Sequence, residues 1–182
     1  MHYINALPVY FILLSLAIFI SIRFIVLMKT DRKIVLYKEF IYCLWIIYME
    51  SLLYLTVFPS TDATRSDWVG INLIPFNTIE NYLFLFSQGG ISVASVNLIG
   101  NTAVFIPMGM LLVLVNRKIS FLKMFLIGFA ASFAIEVTQL VLSLLKVLSR
   151  SFDVDDLILN TIGVIIGFAV MKIGLFFISL KK

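Results

Sequence analysis

The sequence predicts an all-α fold, a polytopic transmembrane helical bundle of five spans, and three observations carry that prediction. Hydrophobic residues make up 62% of the 182 residues and charged residues 13%, against roughly 45 to 50% and about 25% in a soluble domain. Polar residues this scarce cannot cover a soluble monomer of this size, so the apolar excess faces lipid. Second, the charges are confined to short stretches between long apolar runs. Third, five of those runs reach the ~20 residues that a helix needs to cross a hydrocarbon core of about 30 Å. Together they read as one transmembrane domain over residues 1–182.

The first span covers residues 8–28. No basic residue precedes its apolar core and no small-residue cleavage pattern follows it, so it is expected to be a permanent span and not a removed signal peptide. The others cover residues 40–58, 92–115, 124–145 and 157–180. Each has to be helical, because lipid leaves an open backbone no other way to satisfy its polar groups. Between the second and third spans runs the longest connection, residues 59–91, which holds Trp68 and the apolar stretch Tyr82 to Phe86. That stretch is too short to span, and Trp and Tyr favour the headgroup level, so an interfacial or re-entrant segment is expected there.

Orientation follows from Lys and Arg. Lys29, Arg32, Lys33 and Lys38 follow the first span, Arg117, Lys118 and Lys123 the third, and Lys181 and Lys182 the fifth, nine in all. The alternate connections hold three: Arg65, Lys146 and Arg150. The positive-inside bias therefore puts the N-terminus outside and the C-terminus in the cytoplasm. Arg23 and Lys172 lie within apolar stretches near cytoplasmic ends, where long side chains can snorkel to the headgroups.

Composition also excludes chemistries. One Cys, Cys43, cannot form an internal disulfide, and one Cys with one His, His2, cannot build a zinc site of the usual ligand set. The net charge of +4 comes from residues flanking apolar segments, without interleaved aromatics, so no nucleic acid partner is expected.

The polar residues within the spans are few: Glu50, Asn97, Asn101, Glu136, Gln139 and Asn160. A charged side chain at the centre of a membrane helix costs about 2.5 to 3.5 kcal/mol, so a carboxylate there needs a partner, a wet cavity or a proton. Asn97 and Asn101 are four apart, Glu136 and Gln139 three apart, and Asp153, Asp156 and Asn160 advance by three and then four, so each set shares a helix face. In the orientation above, these groups from four helices converge at one depth below the outer surface, with loop residues Arg65, Arg150, Asp153, Asp155 and Asp156 above them. The expectation is one site opening outward.

Each feature also has a plainer reading. Glu136 could hold helices together through interhelical hydrogen bonds, or act as a base or proton carrier. Asp153 is a good N-cap, with Asp156 at the third position as an acidic variant of the capping box. Asp153, Asp155 and Asp156 are also hard oxygen ligands at a density that suits Mg²⁺ or Ca²⁺; no other cofactor is indicated. Arg65 and Arg150 could contact an anion such as phosphate, or pair with the Asp residues. Gly163-Val-Ile-Ile-Gly167 is a GxxxG, and Gly128 and Ser132 continue a row of small residues into Glu136, which would bring the fourth and fifth spans close.

Four ordered motifs resemble the VanZ-like family of teicoplanin-resistance-type membrane proteins: Asn72-Leu-Ile-Pro-Phe76, Asn97-Leu-Ile-Gly-Asn-Thr-Ala-Val-Phe-Ile-Pro-Met-Gly109, Ile135-Glu-Val-Thr-Gln139, and Arg150-Ser-Phe-Asp-Val-Asp-Asp156 running on to Asn160 and Gly167. The resemblance covers about residues 45–170. It implies a multi-pass plasma membrane protein, of a kind found mainly in Gram-positive bacteria, whose best-known member lowers glycopeptide susceptibility. The family's recurring polar positions match Glu136, Gln139, Asp153, Asp156 and Asn160 here.

Motifs and composition together give Glu136, Asp153 and Asp156 as candidates for chemistry. Arg65, Asn72, Pro75, Phe76, Asn97, Asn101, Gln139, Arg150 and Asn160 are candidates for binding. Two functions stay open. The favoured one is an envelope factor that binds a lipid headgroup, a lipid-linked cell-wall precursor or another envelope protein at an outward-facing pocket and contributes to teicoplanin resistance. The other is an enzyme acting on a lipid-linked envelope precursor with Glu136 and an Asp as acid and base; no nucleophile with a recognised activating partner is present. A transporter ranks last, because no internal repeat is evident.

Overall fold

The computed structural model describes residues 7–30, 35–57 and 70–180. Arg65 and Trp68 lie outside the described residues. The chain forms two compact units, residues 1–55 and 56–182.

In the first unit, α1 (Leu7–Lys29) and most of α2 (Leu36–Val57) are apolar on all sides. Arg23, expected to snorkel, instead meets Glu39 of α2, its Nε donating to Oε2 at 2.8 Å and its Nη2 to Oε1. Phe19 and Tyr42 pack edge to face, with ring centroids 6.4 Å apart. Glu50, in α2, keeps one carboxylate oxygen buried without a hydrogen-bond partner among the described residues.

In the second unit come a short helix α3 (Asn77–Ser87) and three long ones, α4 (Ile91–Val115), α5 (Phe121–Leu144) and α6 (Val154–Leu180). With α1 and α2, these three make five helices long and apolar enough to cross a membrane. At 11 residues, or about 16 Å, α3 is too short to do so.

The helices of α2, α5 and α6 start three or four residues earlier than the apolar runs suggest. For α6 the reason is local. Asp153 precedes the first helical residue and accepts the amide of Asp155 at 2.9 Å, capping the helix, while Asp155 and Asp156 occupy its favourable first turn. Both belong to the helix and not to a loop above it.

The core of this unit is a close crossing of α4 on α6. A Cβ on Gly163 would lie 2.1 Å from the Thr102 carbonyl oxygen and one on Gly167 2.0 Å from that of Ile106, while one on Gly109 would lie 2.0 Å from that of Val164. The GxxxG therefore serves the third and fifth spans, which corrects the expectation that it joins the fourth and fifth. Its glycines face backbone, where nothing can move aside. The row on α5 does meet α6 as expected, with Gly128 over the Val164 side chain and Ser132 beside Asn160. Pro107 is accommodated inside α4, which continues as a helix on both sides of it.

At the α4–α5 connection, Ser120 caps α5 and Lys172 of α6 donates to the Arg117 carbonyl oxygen at 2.7 Å. Lys172 thus has a backbone partner at that end of the bundle. At the opposite end the chain departs from pure helix: Ile71 and Asn72 pair in parallel with Phe152 and Asp153. This two-residue bridge, with Phe133 of α5 packed edge-on against Phe152, holds the chain before α3 beside the start of α6.

Candidate functional site

The polar side chains gather where α6 begins. Helical rise puts Asn101 about 21 Å from the Val115 end of α4, Glu136 about 22 Å from the Phe121 end of α5, and Asp156 about 24 Å from Lys172 on α6. Three helices so bring their polar groups to one depth. Glu50, the fourth helix's contribution, belongs to the first unit.

Asp155 is fully buried. Its Oδ1 accepts the amide of Phe76 at 2.6 Å, and its Oδ2 accepts those of Thr78 at 2.7 Å and Ile79 at 3.1 Å. Those are the free amides that open α3. The residue at the N-cap position of α3 is Phe76, whose side chain has no acceptor and whose backbone is left-handed at φ 70°. A carboxylate from a different helix supplies the cap, and its charge suits the positive end of the α3 dipole.

Asp153 binds the same segment. Its Oδ1 accepts from Asn72 Nδ2 at 2.9 Å, besides the Asp155 amide, and its Oδ2 accepts from Thr78 Oγ1 at 2.6 Å. Asn72 also donates to Thr78 Oγ1, and its side-chain Oδ1 accepts the Ile74 amide, turning the chain. Leu73, Ile74, Pro75 and Phe76 stand exposed at the tip of that turn.

Glu136 is buried, and its Oε2 accepts the Asp153 amide at 3.1 Å. The acidic capping box read from the sequence is thereby corrected. Glu136, from a neighbouring helix, takes the N-cap amide that Asp156 would take in a local box. Asp156 turns instead to Asn101, whose Nδ2 donates to its Oδ1. One turn along α6, Asn160 donates to Ser132 Oγ at 3.0 Å, while its own Oδ1 is buried with no partner among the described residues.

Gln139 is buried and donates to the Thr56 carbonyl oxygen at 2.7 Å. Asn97 does not join the cluster; its amide returns to the Val93 carbonyl oxygen of its own helix. Arg150 is exposed and makes no ion pair among the described residues, while its amide is held by the buried Ser143 hydroxyl. Among the described residues, no three His, Cys, Asp or Glu side chains meet as metal ligands do.

Tyr82, Thr78 and Ser132 belong to the site although the sequence reading did not single them out as site residues. Burial pushes the Tyr82 phenol above its ordinary value, Asp156 and Asp153 push it further, and Arg150 opposes them. Tyr82 therefore stands among these charges. Thr78 and Tyr82 are four apart on α3 and so share a face, the one signal that could have found them.

A family model described as VanZ/LLP1 matches residues 45–177. The chain belongs to the VanZ/LLP1 family. The match takes in the end of α2, all of α3, α4 and α5, and most of α6, so every described residue of the cluster falls within it. No curated protein and no solved structure matches the chain. As a membrane protein of the VanZ/LLP1 family, it carries the family's stretch on the helices that build the polar cluster.

Proposed function

We propose that this VanZ/LLP1 protein is a plasma membrane factor that binds a lipid headgroup or lipid-linked cell-wall precursor at the outer leaflet, and so contributes to glycopeptide resistance of the teicoplanin type. The observation that carries this reading is the polar cluster of α4, α5 and α6, set at the end of the bundle remote from Arg117 and Lys118 and roofed by the amphipathic α3. With the N-terminus outside, that end faces outward and the basic end faces the cytoplasm. Exposed Leu73, Ile74, Phe76, Leu83 and Phe84 then lie at the membrane surface.

Binding is favoured over catalysis because the sequence offers no nucleophile with a recognised activating partner. Three donors occupy Asp153 and three occupy Asp155, which leaves Glu136 and Asp156 as the carboxylates with spare acceptor capacity. An enzymatic reading would cast these two as acid and base.

The test is complementation of a deletion strain, reading susceptibility to a lipoglycopeptide together with membrane levels of each variant. Glu136→Gln and Asp156→Asn keep hydrogen-bonding capacity but remove charge. Both are expected to lose resistance at near-normal protein levels, whereas Glu136→Ala leaves a cavity and an unpaired Asp153 amide and is expected to lower the levels too. Full resistance from both charge-neutral variants would reject the site.

A further inference from the structure

The ligand group that enters this cluster can be narrowed by its supply of donors. A carboxylate offers about four acceptor positions. Glu136 and Asp156 each accept one hydrogen bond among the described residues, from the Asp153 amide and from Asn101. One turn further into the same α5–α6 seam lies the Oδ1 of Asn160, a residue 4% exposed, with no donor among the described residues. Buried acceptors without donors are costly, and a carboxylate pair with an orphan carbonyl repels an anion. The missing complement is a compact cation rich in N–H groups. Asp156 is half-buried, the more exposed of the two carboxylates, and the exposed Arg150 lies in the segment that leads into α6.

We propose that the cluster receives a primary ammonium through Glu136, Asp156 and Asn160 Oδ1, while Arg150 takes a neighbouring phosphate, so that the headgroup bound is of the phosphoethanolamine kind. This rests on the headgroup reading above and assigns its chemical class. An ammonium brings three donors to three acceptors, and a guanidinium is the natural partner of phosphate. The same ammonium-phosphate pair could belong to a membrane lipid or to a water-soluble phosphoethanolamine unit.

The experiment is native mass spectrometry of the full chain in detergent, with phosphatidylethanolamine, phosphatidylcholine and phosphatidylglycerol of matched acyl chains. Phosphatidylethanolamine should be retained about tenfold better than the other two, because trimethylation removes every N–H and glycerol carries no charge. Asp156→Asn should erase that preference without lowering phosphatidylglycerol retention, since it also eases the repulsion of an anion. Competition by soluble phosphoethanolamine would assign recognition to the headgroup alone, and its failure beside selective retention would assign it to the intact lipid.

Equal retention of phosphatidylcholine would overturn the ammonium assignment while the headgroup reading stands, as would strongest retention of phosphatidylglycerol. Retention of none of the three would remove both. The wild-type series decides these outcomes even if the Asp156 variant does not fold.

Discussion

Four carboxylates crowd the start of α6, and the number of donors each receives separates their roles. Asp155, with three amides on it, is a tether for α3, so Asp155→Asn should release that helix. Charge-assisted bonds of this kind contribute about 1.5 to 3 kcal/mol each and do not simply add, so a loss of about 2 to 4 kcal/mol is expected. A thermal melt in detergent would read it as a clear fall in midpoint, with faster proteolysis after Ser87. Asp156→Asn, whose carboxylate holds only Asn101, should barely move the melt. Tyr82 adds a pH prediction. Its pKa is raised on folding, so the neutral phenol's contribution is complete below the unfolded value of about 10 and is lost as pH rises through the higher folded value. Alkaline destabilisation should therefore be weaker in Tyr82→Phe, and the wild-type minus variant absorbance titration should show a phenol ionising above the ordinary range.

At the scale of elements, the α4–α6 crossing depends on glycines that touch backbone. Gly163→Ala and Gly167→Ala each place a methyl where a carbonyl oxygen lies 2.1 or 2.0 Å away, so the helices must separate. Overpacking of this kind costs about 1 to 3 kcal/mol, whereas Gly174→Ala, with open space around it, should cost nothing measurable. Equal melts for Gly167→Ala and Gly174→Ala would refute the close crossing. The long helices were legible in the sequence because lipid imposes one requirement on every span, an apolar run of sufficient length. Which partner the GxxxG meets was not, since spacing shows that one face is small but says nothing of what lies opposite. The site was half legible for the same reason. Periodicity put Glu136 with Gln139 and Asp156 with Asn160, but Asp155's bonds to α3 span 76 to 79 residues and no local pattern encodes them. Asn97, equally periodic with Asn101, bonds within its own helix, so sharing a face did not suffice.

For the whole molecule, everything proposed about ligand access depends on which side of the membrane holds the α6 start. The bundle has two chemically distinct ends. One carries Arg117, Lys118 and Lys123, with Lys172 bonded to the connection between α4 and α5. The other carries Asp153, Asp155 and Asp156 with the exposed Lys146 and Arg150. Acidic groups influence orientation little and basic groups strongly, so the first end should be cytoplasmic. Single cysteines at Ser151 and Ser120, in a Cys43→Ala background, test this directly because both serines are exposed at opposite ends of α5. A membrane-impermeant maleimide added to intact cells should label the Ser151 position and leave the Ser120 position unlabelled until the membrane is opened. The reverse pattern would turn the polar cluster toward the cytoplasm. An extracellular glycopeptide or outer-leaflet precursor could then not reach it, and the carboxylates would have to act on a ligand of the inner leaflet.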